Sequence, residues 1–426
     1  MKKSTFTIFL VLCSCFCFIL ASAAARAETI SFGCPAWGFC NHFQATGDIW
    51  AKNTGNTLKM YESGRLVDDS LGLFRQILSA KSDEFDIILI DCIWPGMLGK
   101  HLVDLRSFFS QSDIDKHFKP IISNYMDEHG SLLAIPLFTD AGILYYRKDL
   151  LDKYGFSPPE TWEELSLIAQ KIVQSEKEST PGITGFVWQG KAYEGLTCNA
   201  LEWINSFGGG AIIDDKTGEV TVNNPNAVKA LKTAASWIGS ISPKDVLEYT
   251  ELETTNHFRS GKAVFMRNWM EPWAACDTPD SPVKGKIGLV ALPKGGNDGK
   301  HAGTIGDMSL AVSKYSRNPE KSADLVKFIS SAQSQKRHAI EYSFSPTLIT
   351  LYDDPELLEK RPFMAALKDV LLNGVERPSR LTGIKYAKIS SKFSEAVYMV
   401  ISGKAFAETE LANLEKELNK IKNGHW

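Results

Sequence analysis

The chain has 426 residues, with 47 Lys and Arg against 50 Asp and Glu, and 44% of its residues are hydrophobic. A net charge of −3 excludes the strongly basic face that a phosphate backbone requires, so no nucleic-acid partner is expected. The length exceeds what one compact core organises, and two lobes are expected.

Lys2 and Lys3 precede an apolar run from Phe6 to Ala21, and Ala25-Arg26-Ala27 supplies the small-x-small pattern of a cleavage site. The run is short for a retained anchor, which needs about 20 apolar residues. A lipoprotein site at Cys13 would leave almost no apolar segment before it. Residues 1–27 therefore read as a signal peptide cleaved before Glu28, and the expected location is the periplasm. The remaining 399 residues carry a net charge of −6 and contain no second stretch apolar enough to cross a bilayer. Their five cysteines are odd in number and lack a CxxC pair, which argues against a disulfide scaffold or a metal site. Cys34 and Cys40 can bridge if their segment turns back, whereas Cys92, Cys198 and Cys276 read as buried thiols.

In chain order, Thr29 to Phe32 reads as a strand and 43–52 as a helix. Leu58 to Tyr61 is a second strand, and 68–80 a helix with apolar residues at 71, 74, 77 and 78. Phe85 to Ile90 is an almost wholly apolar run, as expected of a strand buried on both faces. Asp91 and Trp94 follow it. This alternation implies an α/β lobe with a mainly parallel sheet, whose ligands bind beyond the carboxyl ends of the strands. Leu133 to Phe138 leads through Thr139 and Asp140 into a strand at Ile143 to Tyr146, and 138–141 reads as the first crossing between lobes. Thr161 and Glu164 suit a helix start. Gly185 to Trp188 is a strand with a loop from Gln189 to Glu194, 212–221 a hairpin, and Asn224-Pro225 opens a helix through Trp237. A strand ends at Arg267, and 294–300 reads as a return crossing. Leu310 to Val312 is a strand and 319–331 a helix. The rest reads as helical, with an apolar stripe at Phe393, Ala396, Val397 and Val400.

Signatures of catalysis are missing: no phosphate-binding loop, no HExxH helix and no G-x-S-x-G elbow occurs. No cofactor or metal is expected. Polar and aromatic residues instead gather at strand ends: Asp91 with Trp94; Asp140 with Tyr145; Gln189 with Tyr193 and Glu194; Arg267, Trp269 and Trp273; and Gly306 with Asp307. Sugars need this mixture, because each hydroxyl both donates and accepts while the C–H face lies on aromatic rings. Taken singly, each Trp is as well explained by a core and each Asp by a helix cap.

Four stretches together resemble the extracellular solute-binding proteins of the maltose-binding superfamily, in particular the trehalose/maltose-binding branch. They are 86–96, 135–149, 185–199 (which includes Asn199) and 265–269. The resemblance implies a two-lobed periplasmic-binding-protein fold, each lobe a mainly parallel sheet flanked by helices, with the ligand cleft between lobes. The expected division places 28–138 with 300–334 in one lobe and 139–299 with 335–426 in the other. It also implies a monomer that delivers sugar to two permease subunits with a cytoplasmic ATPase. Asp91, Asp140, Glu194, Trp269, Gly306 and Asp307 fall where the family lines its site, with Trp273 nearby and Arg380 a further carry-over. Relatives place a Glu-containing polar stretch after the first strand, where this chain has Cys34-Pro-Ala-Trp-Gly-Phe-Cys40. A secreted carbohydrate-active hydrolase, or the same fold binding a polyol, monosaccharide or polyamine, is the alternative reading.

Overall fold

The computed structural model describes residues 27–36, 40–64, 67–127 and 129–426. The signal segment up to Arg26 and the Trp37–Phe39 tip of the cysteine loop lie outside the described residues. Among the described residues, nine strands form two sheets. The first contains β1 (Thr29–Cys34), β2 (Thr57–Glu62), β3 (Ile87–Asp91), β4 (Ile135–Ala141) and β9 (Ile305–Val312), in the order β2-β1-β3-β9-β4. The second contains β5 (Ile143–Arg147), β6 (Thr184–Val187), β7 (Ala263–Asn268) and β8 (Ile287–Ala291), in the order β6-β7-β5-β8.

In each sheet one strand runs against the rest: β9 is antiparallel to β3 and β4, and β5 is antiparallel to β7 and β8. The C-terminal ends of β1 to β4 therefore share one edge with the start of β9. The ends of β6, β7 and β8 likewise share an edge with the start of β5. Only Gly142 separates β4 from β5, so these two edges face each other. The central strands are buried along their whole length, as β3 and β9 show, which is why their sequences read as apolar runs.

Three crossings join the sheets: Gly142, residues 292–304, and the stretch around Val375. The sequence signals only the first two, because the third lies between helices and has no strand of its own. The crossings are stitched together. Gly142 N–H donates to Thr304 O (3.1 Å), Ile305 N–H to Val375 O (2.9 Å) and Val375 N–H to Gly303 O (2.8 Å). Each carries a glycine, at 142, 303 and 374. A Cβ on Gly303 would stand 2.5 Å from Gly142 O, and one on Gly374 would collide with the Ile305 side chain.

Two apolar cores cover the sheets; the first centres on the five-stranded sheet and runs on to Tyr145, Val187, Met266 and Ile287 of the second. Segment 335–371, grouped from the sequence with the second lobe, contributes Phe344, Leu348, Leu351, Met364, Leu367 and Leu371 to that first core, which spans both sheets. The helices Tyr386–Ile401 and Ala407–Lys422 pack on Glu194–Ser206 and Pro225–Trp237 in the second core. There Trp188 and Trp203 meet edge to face at 4.9 Å, and Trp162 and Trp237 lie 5.2 Å apart. Strand β8 and the Glu194–Ser206 helix are elements that sequence periodicity does not reveal. The 212–221 stretch forms one bridge, Ile213 to Val220, rather than a full hairpin. Cys34 and Cys40 are joined in a disulfide at a Cα separation of 6.1 Å, and Cys92, Cys198 and Cys276 are buried free thiols.

Gly303→Ala is expected to wedge the first and second crossings apart at a cost of about 1–3 kcal/mol, typical of overpacking. Urea unfolding measures it, and an unchanged midpoint would show that the crossings yield freely.

Candidate ligand-binding cleft

Asp91 ends β3, where its Oδ1 accepts the Ile93 N–H at 3.1 Å. Arg377, two residues beyond the third crossing, reaches it from the side. The guanidinium donates to Asp91 Oδ1 (3.3 Å), Cys92 Sγ (2.8 Å), Ile305 O (3.3 Å) and Glu194 Oε1 (2.9 Å). Glu194 opens its helix and also accepts the hydroxyls of Tyr386 (2.6 Å) and Ser390 (2.5 Å). Asp91, Glu194 and Arg377 are all buried, so one arginine neutralises a carboxylate from each lobe. Burial raises the Asp91 pKa, an effect opposed by Arg377 and reinforced by Glu194.

A second buried pair lies at the end of β7. Arg267 donates through Nε (2.9 Å) and its second amino group to Glu202, and through the other to Gln189 Oε1 at 3.0 Å. Gln189 Oε1 also accepts from Asn199 Nδ2 (3.0 Å), and Glu202 accepts the Thr304 N–H of the crossing (3.1 Å). Arg267 and Glu202 are fully buried, and Gly142 leaves the space they occupy.

The Trp269 ring lies over this arginine, its centroid 4.2 Å from the guanidinium carbon, in cation–π contact. Trp269 Nε1 donates to Glu251 Oε1 (3.4 Å), and the Tyr193 hydroxyl donates to Glu251 Oε2 (2.6 Å). Across the interface the ring meets β9 at Gly306, where a Cβ would stand 3.1 Å from it. Tyr145 donates to the Trp269 and Met270 carbonyls at 2.7 and 3.1 Å. Asp140 accepts the Met270 N–H at 2.9 Å, so it holds the Trp269 loop against the facing sheet. Asp307, within β9, accepts the Tyr125 hydroxyl through Oδ1, while its buried Oδ2 has no protein partner.

Asp91, Asp140, Tyr145, Gln189, Tyr193, Glu194, Asn199, Arg267, Trp269, Gly306 and Asp307 thus come together along the facing edges. Three other candidates do not join them. Trp94 is wholly buried with its ring against Phe74, Trp273 packs on Phe363 at 4.6 Å, and Arg380 is exposed. Sequence reasoning misses Arg377, Glu202, Glu251, Tyr386 and Ser390. Arg377 was the nearest to being found, since it stands three residues before Arg380 in Arg377-Pro-Ser-Arg380. Tyr386 and Ser390 are four apart, a spacing that puts them on one helix face. Among the described residues no cluster of His, Cys, Asp and Glu could hold a metal ion.

Burial raises Asp140 and Asp307 to about 7, and Glu271 to about 8 with help from Asp140 and Glu251. The folded chain holds protons that the unfolded chain releases near pH 4. These groups therefore stabilise most below pH 4, and the contribution is lost as pH rises towards 7 or 8. Thermal unfolding between pH 4 and 8 should show a shallower fall in Asp140→Asn and Asp307→Asn than in the wild type; parallel profiles would exclude both groups as its source. Arg377→Met strands two buried carboxylates and should cost about 3–5 kcal/mol in denaturant unfolding. Adding Asp91→Asn and Glu194→Gln should recover part of that loss.

The sequence pattern of the bacterial extracellular solute-binding protein family matches residues 43–336. A probable ABC transporter-binding protein of Deinococcus radiodurans is 46% identical over 407 residues, covering 95% of this chain and 96% of that protein. Maltose-bound MalE3 of T. maritima superposes with a TM-score of 0.87 at 32% identity, over 93% of this chain and all of that one. A ribitol-bound ABC transporter solute-binding protein of Agrobacterium radiobacter shares the fold, with a TM-score of 0.81 at 23% identity over 92% and 98% of the two chains. The two facing sheet edges, the three crossings and these likenesses agree: the chain belongs to the bacterial extracellular solute-binding protein family.

Proposed function

We propose that the protein captures a small sugar, an α-linked disaccharide of the maltose or trehalose type, between its lobes and delivers it to an ABC importer. The observation that carries this reading is the Trp269 ring, held by Arg267 and Glu251 over Gly306, with Asp140 on the neighbouring Met270 N–H and Asp307 next to Gly306. An aromatic face suits the C–H face of a pyranose, and carboxylates accept from adjacent hydroxyls. The likeness to maltose-bound MalE3 supports the same ligand class.

The lobes we infer comprise 28–141 with 305–372, and 143–291 with 375–426. They rotate about the three crossings, and ligand contacts made from both sides favour the closed form. Residues 1–27 direct export and are removed before Glu28, and the closed monomer docks on two permease subunits served by a cytoplasmic ATPase. The protein acts as a carrier and not as a hydrolase.

A thermal-shift screen with disaccharides, monosaccharides, polyols and polyamines tests the reading, because a ligand of the folded state raises the midpoint. Maltose or trehalose should give the largest shift. A shift with polyamines alone would replace the ligand class, and glucose released on long incubation would make the protein an enzyme. By calorimetry, Trp269→Ala should weaken sugar binding by about 2 kcal/mol, the scale of a buried aromatic anchor.

A further inference from the structure

A second contact between the lobes lies outside the residues assigned to the ligand. The short helix Pro95–Leu98 follows β3, and Trp94, Met97 and Leu98 are anchored in the first core. The turn Gly383–Lys385 leads into the helix Tyr386–Ile401, which packs on the Glu194–Ser206 helix in the other lobe. Gly96 and Gly383 meet where these segments touch. A Cβ on Gly96 would stand 2.8 Å from the Gly383 Cα and 3.4 Å from the Ser379 carbonyl oxygen. Both are backbone atoms and cannot swing aside as the tip of a side chain can. Gly383 itself has φ +51° and ψ −125°, a conformation that other residues rarely adopt.

Gly96 is exposed despite this contact, so its own lobe leaves room for a side chain. Within a helix, alanine is also favoured over glycine. The nearest atoms to that space are the backbone of Gly383 and Ser379.

We propose that the Gly96–Gly383 seam is a closing stop: the absence of side chains there lets the lobes approach far enough for Arg377 to reach Asp91. Residue 96 is then a positioning residue that sets ligand affinity through the closed population. The proposal rests on the sugar-binding reading for its probe.

Gly96→Ala and Gly96→Leu test it, with maltose as the calorimetric probe and X-ray scattering with and without maltose. The affinity should fall by about tenfold or more, further in Leu than in Ala, because apparent affinity scales with the fraction that can close. The ligand-free unfolding midpoint should stay at or above that of the wild type, and Gly96→Leu with maltose should keep a larger radius of gyration. An affinity within about twofold of the wild type for Gly96→Leu, or a loss of affinity matched by a loss of ligand-free stability, overturns the proposal. If the wild type itself gives no heat with maltose, the disaccharide reading fails. The ligand-free radii then decide the seam: a larger value for Gly96→Leu supports it, and equal values overturn it.

Discussion

The structure depends on one buried charge. Arg377 stands between Asp91, at the end of a strand in one lobe, and Glu194, at the start of a helix in the other. Neither carboxylate is exposed to water, and removing the shared guanidinium would leave both without a counter-charge. Its bond to the Ile305 carbonyl brings the second crossing into the same network. The arginine thus ties a carboxylate on each side of the cleft to the second crossing. The second buried pair, Arg267 with Glu202, behaves differently. That pair comes from one sheet's side of the cleft, accepts the Thr304 N–H of the second crossing, packs against Gly142 of the first, and lies under Trp269.

Around these two arginines the chain leaves out side chains wherever the lobes approach. Gly142, Gly303 and Gly374 let three crossings lie against one another, Gly306 admits the Trp269 ring, and Gly96 meets Gly383. Most of these glycines have ordinary backbone angles, so conformational freedom does not explain them. They are glycines because backbone or a ring occupies the place of a Cβ. A tightly packed interface of this kind changes by rotation about a few points rather than by continuous deformation.

Much of the architecture was legible before any coordinates. The run at 85–90 and the Asn224-Pro225 helix start carry local signals that survive folding, whereas residues 138–141, read as a crossing, end strand β4 and leave the crossing to Gly142. Strand β8 was missed because its five residues include Gly288 and lie at a half-exposed sheet edge, where no apolar run is required. The 335–371 segment packs into a core that both sheets share. Its helices have apolar faces, but a stripe of apolar residues does not say which core it enters.

The strand ends themselves were determined by sequence: burial on both faces demands apolar residues, and the first polar residue after such a run marks the edge where ligands bind. That is how Asp91, Gln189 and Trp269 could be named. Which charges pair across the edge was decided only by the fold. Arg377 and Arg380 are three residues apart and chemically identical, yet one is buried between two carboxylates while the other faces solvent. The difference arises from contacts separated by almost 300 residues along the chain, a distance at which sequence pattern carries no signal and only packing can bring two groups within a hydrogen bond.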